Sequence, residues 1–179
     1  RDTFDWSFAR LDAGQQATLR RLAVFRGAFD ADLAELVVAG DDIAPWRVRE
    51  HVCALVDRSL LVSERDGVRR RLRLLDTTRR FAAEHLAAVG EAALVEGHYV
   101  VAMTALAERL HEVWQATLDD DAIVARFAPH GPDLEHAFAR ACAASQASPA
   151  GTLLRALRTL DVLRGVIAGT EARLTGALR

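Results

Sequence analysis

Residues 55–82, LVDRSLLVSERDGVRRRLRLLDTTRRFA, decide the reading of this chain. Leu55 and Val56 close an apolar helical stripe. Leu60 to Ser63 and Leu72 to Leu74 are short, partly alternating runs of strand character. Asp66-Gly67 between them is a strong turn signal. Asp76-Thr77 then reads as a cap, with Asp76 as its acceptor, opening a helix through Phe81, Leu86 and Val89 that Gly90 ends. The order is helix end, strand, charged turn, strand, helix.

Working upstream, the chain predicts helices only. Residues 3–11 read as a short helix anchored by Phe4, Trp6, Phe8 and Leu11. Asp12 is placed to cap a helix carrying Leu19, Leu22, Val24 and Phe25, with Gly27 after it. Asp30 is placed to cap a third helix that stops at Gly40. Pro45 suits the first turn of a fourth, whose stripe is Val48, Val52, Leu55 and Val56. Three helices followed by a two-stranded wing is the winged-helix order, placed here at residues 1–90. The expected fold class is mainly α: this winged helix with its two-stranded β-hairpin, then an α-helical repeat-like domain over 91–179.

That second part reads as all-α. Val95, Tyr99, Ala102, Leu106, Leu110 and Val113 recur every three or four residues, which predicts one long amphipathic helix. Asp119 to Asp121 break it. A helix is predicted at 131–145 through Leu134, Ala137, Phe138 and Ala141, then a loop from Gln146 to Gly151. Leu153 to Leu163 form another helix, and Gly165 and Gly169 punctuate a short terminal one. Paired helices with Ala-rich faces suit the start of a tetratricopeptide-like solenoid, truncated here.

Composition limits the chemistry. The 179 residues are 51% hydrophobic and carry a net charge of -2. Every basic residue is Arg. Residues 1–90 hold 15 Arg against 14 acids and residues 91–179 hold 8 against 11, so neither part is a basic nucleic-acid surface. Without Lys there is no Gly-x-x-x-x-Gly-Lys phosphate loop, and no Gly-x-Ser-x-Gly elbow occurs. Cys53 and Cys142 stand at no motif spacing and read as buried free thiols of a reducing cytoplasm. The six histidines form no HExxH and read as surface or half-buried packing residues. No run is long and apolar enough to span a membrane, and no signal peptide is visible. The chain, lacking an initial Met, reads as a piece of a longer protein.

The ordered set Trp6-Ser7, Gln16 to Phe29, Leu55 to Val62 and Arg71 to Ala82 resembles a known group. These are bacterial STAND-type ATPases, in which an NB-ARC-type nucleotide-binding core precedes a winged helix and helical repeats. Many of them are transcriptional regulators with LuxR-type or SARP-type DNA-binding domains. The similarity covers about residues 1–115, and HYVVAMTALAE at 98–108 resembles the group's first repeat helix. The resemblance implies a non-catalytic regulatory fragment with no cofactor of its own. ATP or ADP would sit in an upstream domain, which would be a partner in the same chain, with further protein partners on the repeats.

In this group the second wing strand ends in a Met-His-Asp-type motif whose His senses the ADP phosphate. Leu74-Leu75-Asp76 occupies that place here, so Leu75 stands at the phosphate-sensor position and can neither donate a hydrogen bond nor carry charge. The LRLLD pattern predicts that Leu75 is packed. The alternative function is direct DNA binding through the wing, where Arg65, Arg69, Arg70, Arg71 and Arg73 cluster as candidate nucleic-acid or domain-contact residues. Glu64, Asp66 and Asp76 dilute that cluster, and Glu50 and Asp57 dilute the helix before it, so a domain contact is favoured over DNA.

Overall fold

The computed structural model describes residues 2–66, 69–117 and 119–165, and the side chains of these apart from residues 2–5, 66 and 69. Gly67 of the expected turn and the helix expected around Gly169 lie outside the described residues, as does the Phe4 side chain; Asp66, expected in that turn, is the last residue of a strand. The chain divides into two compact units, Arg1–Tyr99 and Val100 onward.

The first unit opens with α1 (Asp2–Ala9), α2 (Ala13–Leu22), α3 (Ala31–Val38) and α4 (Pro45–Asp57). Local chemistry sets their starts. Asp12 and Gln15 form a reciprocal capping box at α2, the Asp12 carboxylate accepting from the Gln15 backbone N–H at 2.8 Å. Asp30 accepts from the Leu33 N–H at 2.9 Å at α3, and Pro45 occupies the first turn of α4. Leu19, Leu22, Phe25, Leu33, Val37, Val38, Val48 and Leu55 from these elements are buried together as a core. Val56, expected in the α4 stripe, is half-buried. Trp6 is no anchor: it is exposed, with the Arg10 guanidinium over its ring, while Phe8 meets Phe81 edge-on at 5.5 Å.

Ser59, at φ 58°, turns the chain sharply out of α4. The N–H groups of Leu60 and Leu61 both donate to the Leu55 carbonyl, which tucks those two side chains into the core. Strands β1 (Val62–Asp66) and β2 (Arg69–Arg73) pair antiparallel, Val62 opposite Arg73, Ser63 opposite Leu72, Glu64 opposite Arg71 and Arg65 opposite Arg70. Phe29, in the α2–α3 connection, adds a one-residue bridge: its N–H and carbonyl exchange both hydrogen bonds with Leu72, at 2.9 and 2.7 Å. The hairpin is thereby fastened near its base to the α2–α3 connection. Helix α5 (Asp76–Ala88) packs on α2, and Gly90 at φ 75° supplies the left-handed residue that ends it.

Helix α6 (Ala92–Thr117) starts in the first unit and continues into the second. Tyr99, fully buried, meets Phe25 edge-on at 5.6 Å, and Phe25 stacks on Phe29 at 4.2 Å. The second unit adds α7 (Asp120–Phe127), a 3-10 turn at Ala128–His130, α8 (Gly131–Ala143) and α9 (Ala147–Leu163). Two sequence expectations fail here. Asp119 does not merely break α6; its carboxylate caps α7 at the Ala122 N–H. The loop expected from Gln146 to Gly151 is the first part of α9, which tolerates Gly151 and holds Pro149 in its first turn. Leu134, Ala137, Ala141, Leu153, Leu157 and Leu160 are buried, and α8 packs along α9.

Candidate functional site

The surface of interest is the outer face of α4 with the hairpin beside it. In the winged-helix order α4 is the helix that a DNA-binding member would present to the major groove. Its buried side is Val48, His51, Val52 and Leu55. Trp46, Arg49, Glu50, Cys53 and Asp57 are exposed, at the i, i+3, i+4, i+7 and i+11 spacing of a single helical face.

That face is not cationic. The Arg49 guanidinium is held by two carboxylates of α3. Its Nη2 donates to Asp32 Oδ1 at 2.7 Å and its Nε pairs with Glu35. Its hydrogen bonds to Asp32 and then to Glu35 raise its pKa. Glu50 and Asp57 remain as exposed acids on the same face. Arg47 leans over the Trp46 ring, 5.0 Å from its centroid. Arg58, just past the helix, donates to the Arg10 carbonyl at 3.2 Å. Among the described residues the helix therefore offers one guanidinium, Arg47, with neither a carboxylate nor a carbonyl partner.

The expected arginine cluster is split by the pleat. Arg65 and Arg70 are exposed and share one face of the hairpin with Ser63 and Leu72. Arg71 and Arg73 lie on the other face with Val62 and Glu64. Arg71 is buried, so it is not a surface contact residue. Arg73 Nη2 donates to Glu64 Oε1 at 2.9 Å. The Arg69 side chain lies outside the described residues. Of the five residues, Arg65 and Arg70 are the pair left facing outward together.

The phosphate-sensor position behaves differently from expectation. Leu74 is buried, but Leu75 is 41% exposed and stands before the first turn of α5 without making a side-chain cap. The packing expected of Leu75 is therefore not found. Nor does Asp76 cap the helix. Its Oδ1 accepts from Arg79 Nη2 at 2.9 Å, and that bond, with the charge of Arg79, lowers the Asp76 pKa.

Behind this surface lies a polar tie that sequence reasoning missed. Arg21, on α2 and buried, reaches three elements. Its Nη1 and Nη2 donate to the two Asp42 carboxylate oxygens at 2.9 and 2.7 Å. Nη1 also donates to the Val38 carbonyl at 2.9 Å, and Nε to Glu91 Oε2 at 3.1 Å. Burial opposes the Arg21 charge, but the bonds it donates to Asp42 and Glu91 outweigh that and raise its pKa, and the Asp42 pKa is lowered chiefly by the Arg21 bond. Nothing in the adjacent Arg20-Arg21 pair says which one turns inward, so the only signal for this tie is an arginine in an apolar stretch.

His51 is buried, against expectation, with Nδ1 2.9 Å from Thr18 Oγ1, and His130 is buried too. Cys53 is exposed and Cys142 half-buried, so the expectation of two buried thiols fails, most fully at Cys53. Among the described residues, no group of three His, Cys, Asp or Glu side chains is placed to hold a metal ion. Nor is any helix among them long and apolar enough to cross a membrane.

The architecture is that of a winged helix-turn-helix domain, and residues 11–87 match the family of that description. The chain is 40% identical over 139 residues to "Putative HTH-type transcriptional regulator Rv0890c" of Mycobacterium tuberculosis (strain ATCC 25618 / H37Rv), a match covering 78% of this chain and 15% of the relative. It is 40% identical over 98 residues to "Uncharacterized protein Rv0894" of the same strain, covering 54% of this chain and 25% of that relative. The chain thus spans only a minor part of these relatives' length. No solved structure matches it significantly.

Proposed function

We propose that this chain is the non-catalytic regulatory part of a transcriptional regulator, whose winged helix meets protein and not duplex DNA. One observation carries the reading. The outward face of α4 is acidic, with Glu50 and Asp57 exposed and Arg49 neutralised by Asp32 and Glu35. A face that must lie against phosphates needs uncommitted cations.

The regulator assignment is supported by the name of the mycobacterial relative and by the winged helix-turn-helix match. The finer picture rests on the resemblance to STAND-type ATPases. There the winged helix, residues 1–90, docks on an ATP- or ADP-binding module elsewhere in the full protein. The helical repeats, residues 91–179, receive a signal from a protein partner. Nucleotide exchange shifts the docking equilibrium. Such a protein works in the cytoplasm.

A second reading, direct DNA binding, has its own observation: Arg65 and Arg70 stand exposed on one face of the wing. Fluorescence anisotropy of the chain with a labelled duplex, at about 50 to 200 mM salt, separates the two. The expected outcome is no sub-micromolar, salt-dependent binding. Tight binding whose salt slope flattens when Arg65, Arg70 and Arg73 are replaced by Ala would install the DNA-binding reading instead.

A further inference from the structure

Between α4 and the hairpin runs a groove of about 420 Å³, with Val52 and Val56 of α4 and Leu72 of β2 among its apolar lining residues. Cys53 and Asp57 also line it from α4, and Arg70 from β2. The Arg65 side chain is on the same hairpin face as Arg70 and directly opposite it. We infer that this groove docks an acidic segment of a protein partner, one that inserts an apolar side chain and sets a carboxylate against Arg70 and Arg65. The inference rests on the protein-contact reading above and names the chemistry of the contact.

Three features of the groove support it. First, Arg65 and Arg70 are cross-strand neighbours of like charge, a pairing that weakens a hairpin unless an anion lies between them. Neither makes an ion pair or side-chain hydrogen bond among the described residues. Second, the same groove already shows how it satisfies a guanidinium. Arg49, also in its lining, is held by two carboxylates. A carboxylate from a partner would treat Arg70 as Asp32 and Glu35 treat Arg49, through charge-assisted bonds. Third, the lining is mixed. Apolar side chains give a phosphate backbone nothing to bind, and Asp57 repels a continuous row of phosphates. An acidic peptide can place an apolar residue in the groove and keep its charge at the arginine end. The cavity volume falls within the range that holds a few side chains or a small ligand.

Cys53 provides the readout, because its thiol lines the groove and is exposed. The experiment uses the whole chain with Cys142→Ala, so that a single thiol reports. The probe is the acetylated, amidated peptide Glu-Asp-Leu-Leu-Asp-Glu. The control is Lys-Lys-Leu-Leu-Lys-Lys, of equal apolar content. At saturating acidic peptide, Cys53 should react with a disulfide reagent about fivefold more slowly, since thiol reactivity follows access. The basic peptide should leave the rate unchanged. By calorimetry, Arg70→Glu should bind the acidic peptide about tenfold more weakly, with Arg65→Glu close behind. Arg80→Glu, an exposed charge on α5, should bind as the parent does. Circular dichroism melts of the variants check that all remain folded.

Equal protection by both peptides, or an equal loss in Arg70→Glu and Arg80→Glu, would overturn the inference by reducing it to apolar or general charge effects. No binding of the acidic peptide would overturn it as well, while leaving the protein-contact reading in place if the duplex also fails to bind. Protection of Cys53 by a duplex and not by the peptide would overturn both.

Discussion

Arg21 shows what one residue can hold together. Its guanidinium joins α2 to the loop after α3, through Asp42 and the Val38 carbonyl, and to the start of α6, through Glu91. Hydrogen bonds to charged partners are the stronger kind, and a truncation here deletes several at once. Asp42 and Glu91 keep access to water, which softens the loss. Arg21→Ala should therefore cost about 2 kcal/mol in a denaturant titration. The pH dependence follows from the direction of the Asp42 shift. Its folded-state pKa is lowered by Arg21, so the unfolded chain takes up the proton first as the solution is acidified. The stabilisation is complete above the ordinary carboxylate range and drains away as pH falls through and below it. Asp42→Asn should remove that component: the parent and the variant should differ at neutral pH and converge in acid. A constant difference across that range would show that Asp42 acts through packing and not through charge. None of this was legible beforehand. Asp42 reads as a loop acid, and only the folded chain places it against Arg21.

At the scale of the elements, what was legible was what local chemistry decides. Asp12, Asp30, Pro45 and Gly90 mark real helix boundaries because caps, a proline first turn and a left-handed glycine act over a few residues. The hairpin was readable, but its strands only in part: the runs expected at 60–63 and 72–74 overlap β1 and β2 by two residues each, because the charged residues 64–66 and 69–71 pair in the ladder without an apolar alternation to show it. The Phe29–Leu72 bridge was not readable, since a one-residue strand has no period to detect. Helix α7 was missed because an acidic triplet reads equally as a break or as a cap followed by a first turn. Leu75 misled because an apolar side chain at an element's end has no neighbour fixed by periodicity; Trp6 misled because a two-turn helix has too few residues to mark which face is buried. The α2–α4 contact yields a test of its own. Gly14 sits in the first turn of α2, where Ala is intrinsically preferred. Yet a Cβ there would lie 2.7 Å from His51 Cε1 and 3.0 Å from His51 Nε2. His51 is buried and bonded to Thr18, so it has little room to withdraw. Gly14→Ala should lower stability by about 1 to 3 kcal/mol, the cost of overpacking, instead of raising it. A melting temperature equal to or above the parent's would mean that the ring swings aside freely.

For the whole molecule, the fold class was readable and the site only half so. The winged helix was expected from the order of its helices and strands. The splitting of its arginines between the two hairpin faces needed the register, because a pleat sends alternate residues to opposite sides. Of five arginines that look like a phosphate-binding patch, that register leaves one buried, one paired with Glu64 and an outward pair at Arg65 and Arg70, the Arg69 side chain lying outside the described residues. It also bears on the nucleotide question. Leu75 is exposed where the resemblance places a phosphate-sensing His, and a leucine there offers a phosphate neither a hydrogen bond nor a charge. The lysine-bearing glycine loop that cradles nucleotide phosphates is absent from the sequence, which has no Lys. Isothermal titration of the whole chain with ATP and with ADP should therefore give no heat of binding at micromolar concentrations, and Leu75→His should not change that. Micromolar affinity in the parent would show that the chain carries a nucleotide site of its own, and the regulatory reading would fail. ADP binding gained only in Leu75→His would be more specific. It would mean that the junction of β2 and α5 is already shaped for a phosphate, and that the leucine alone keeps it silent.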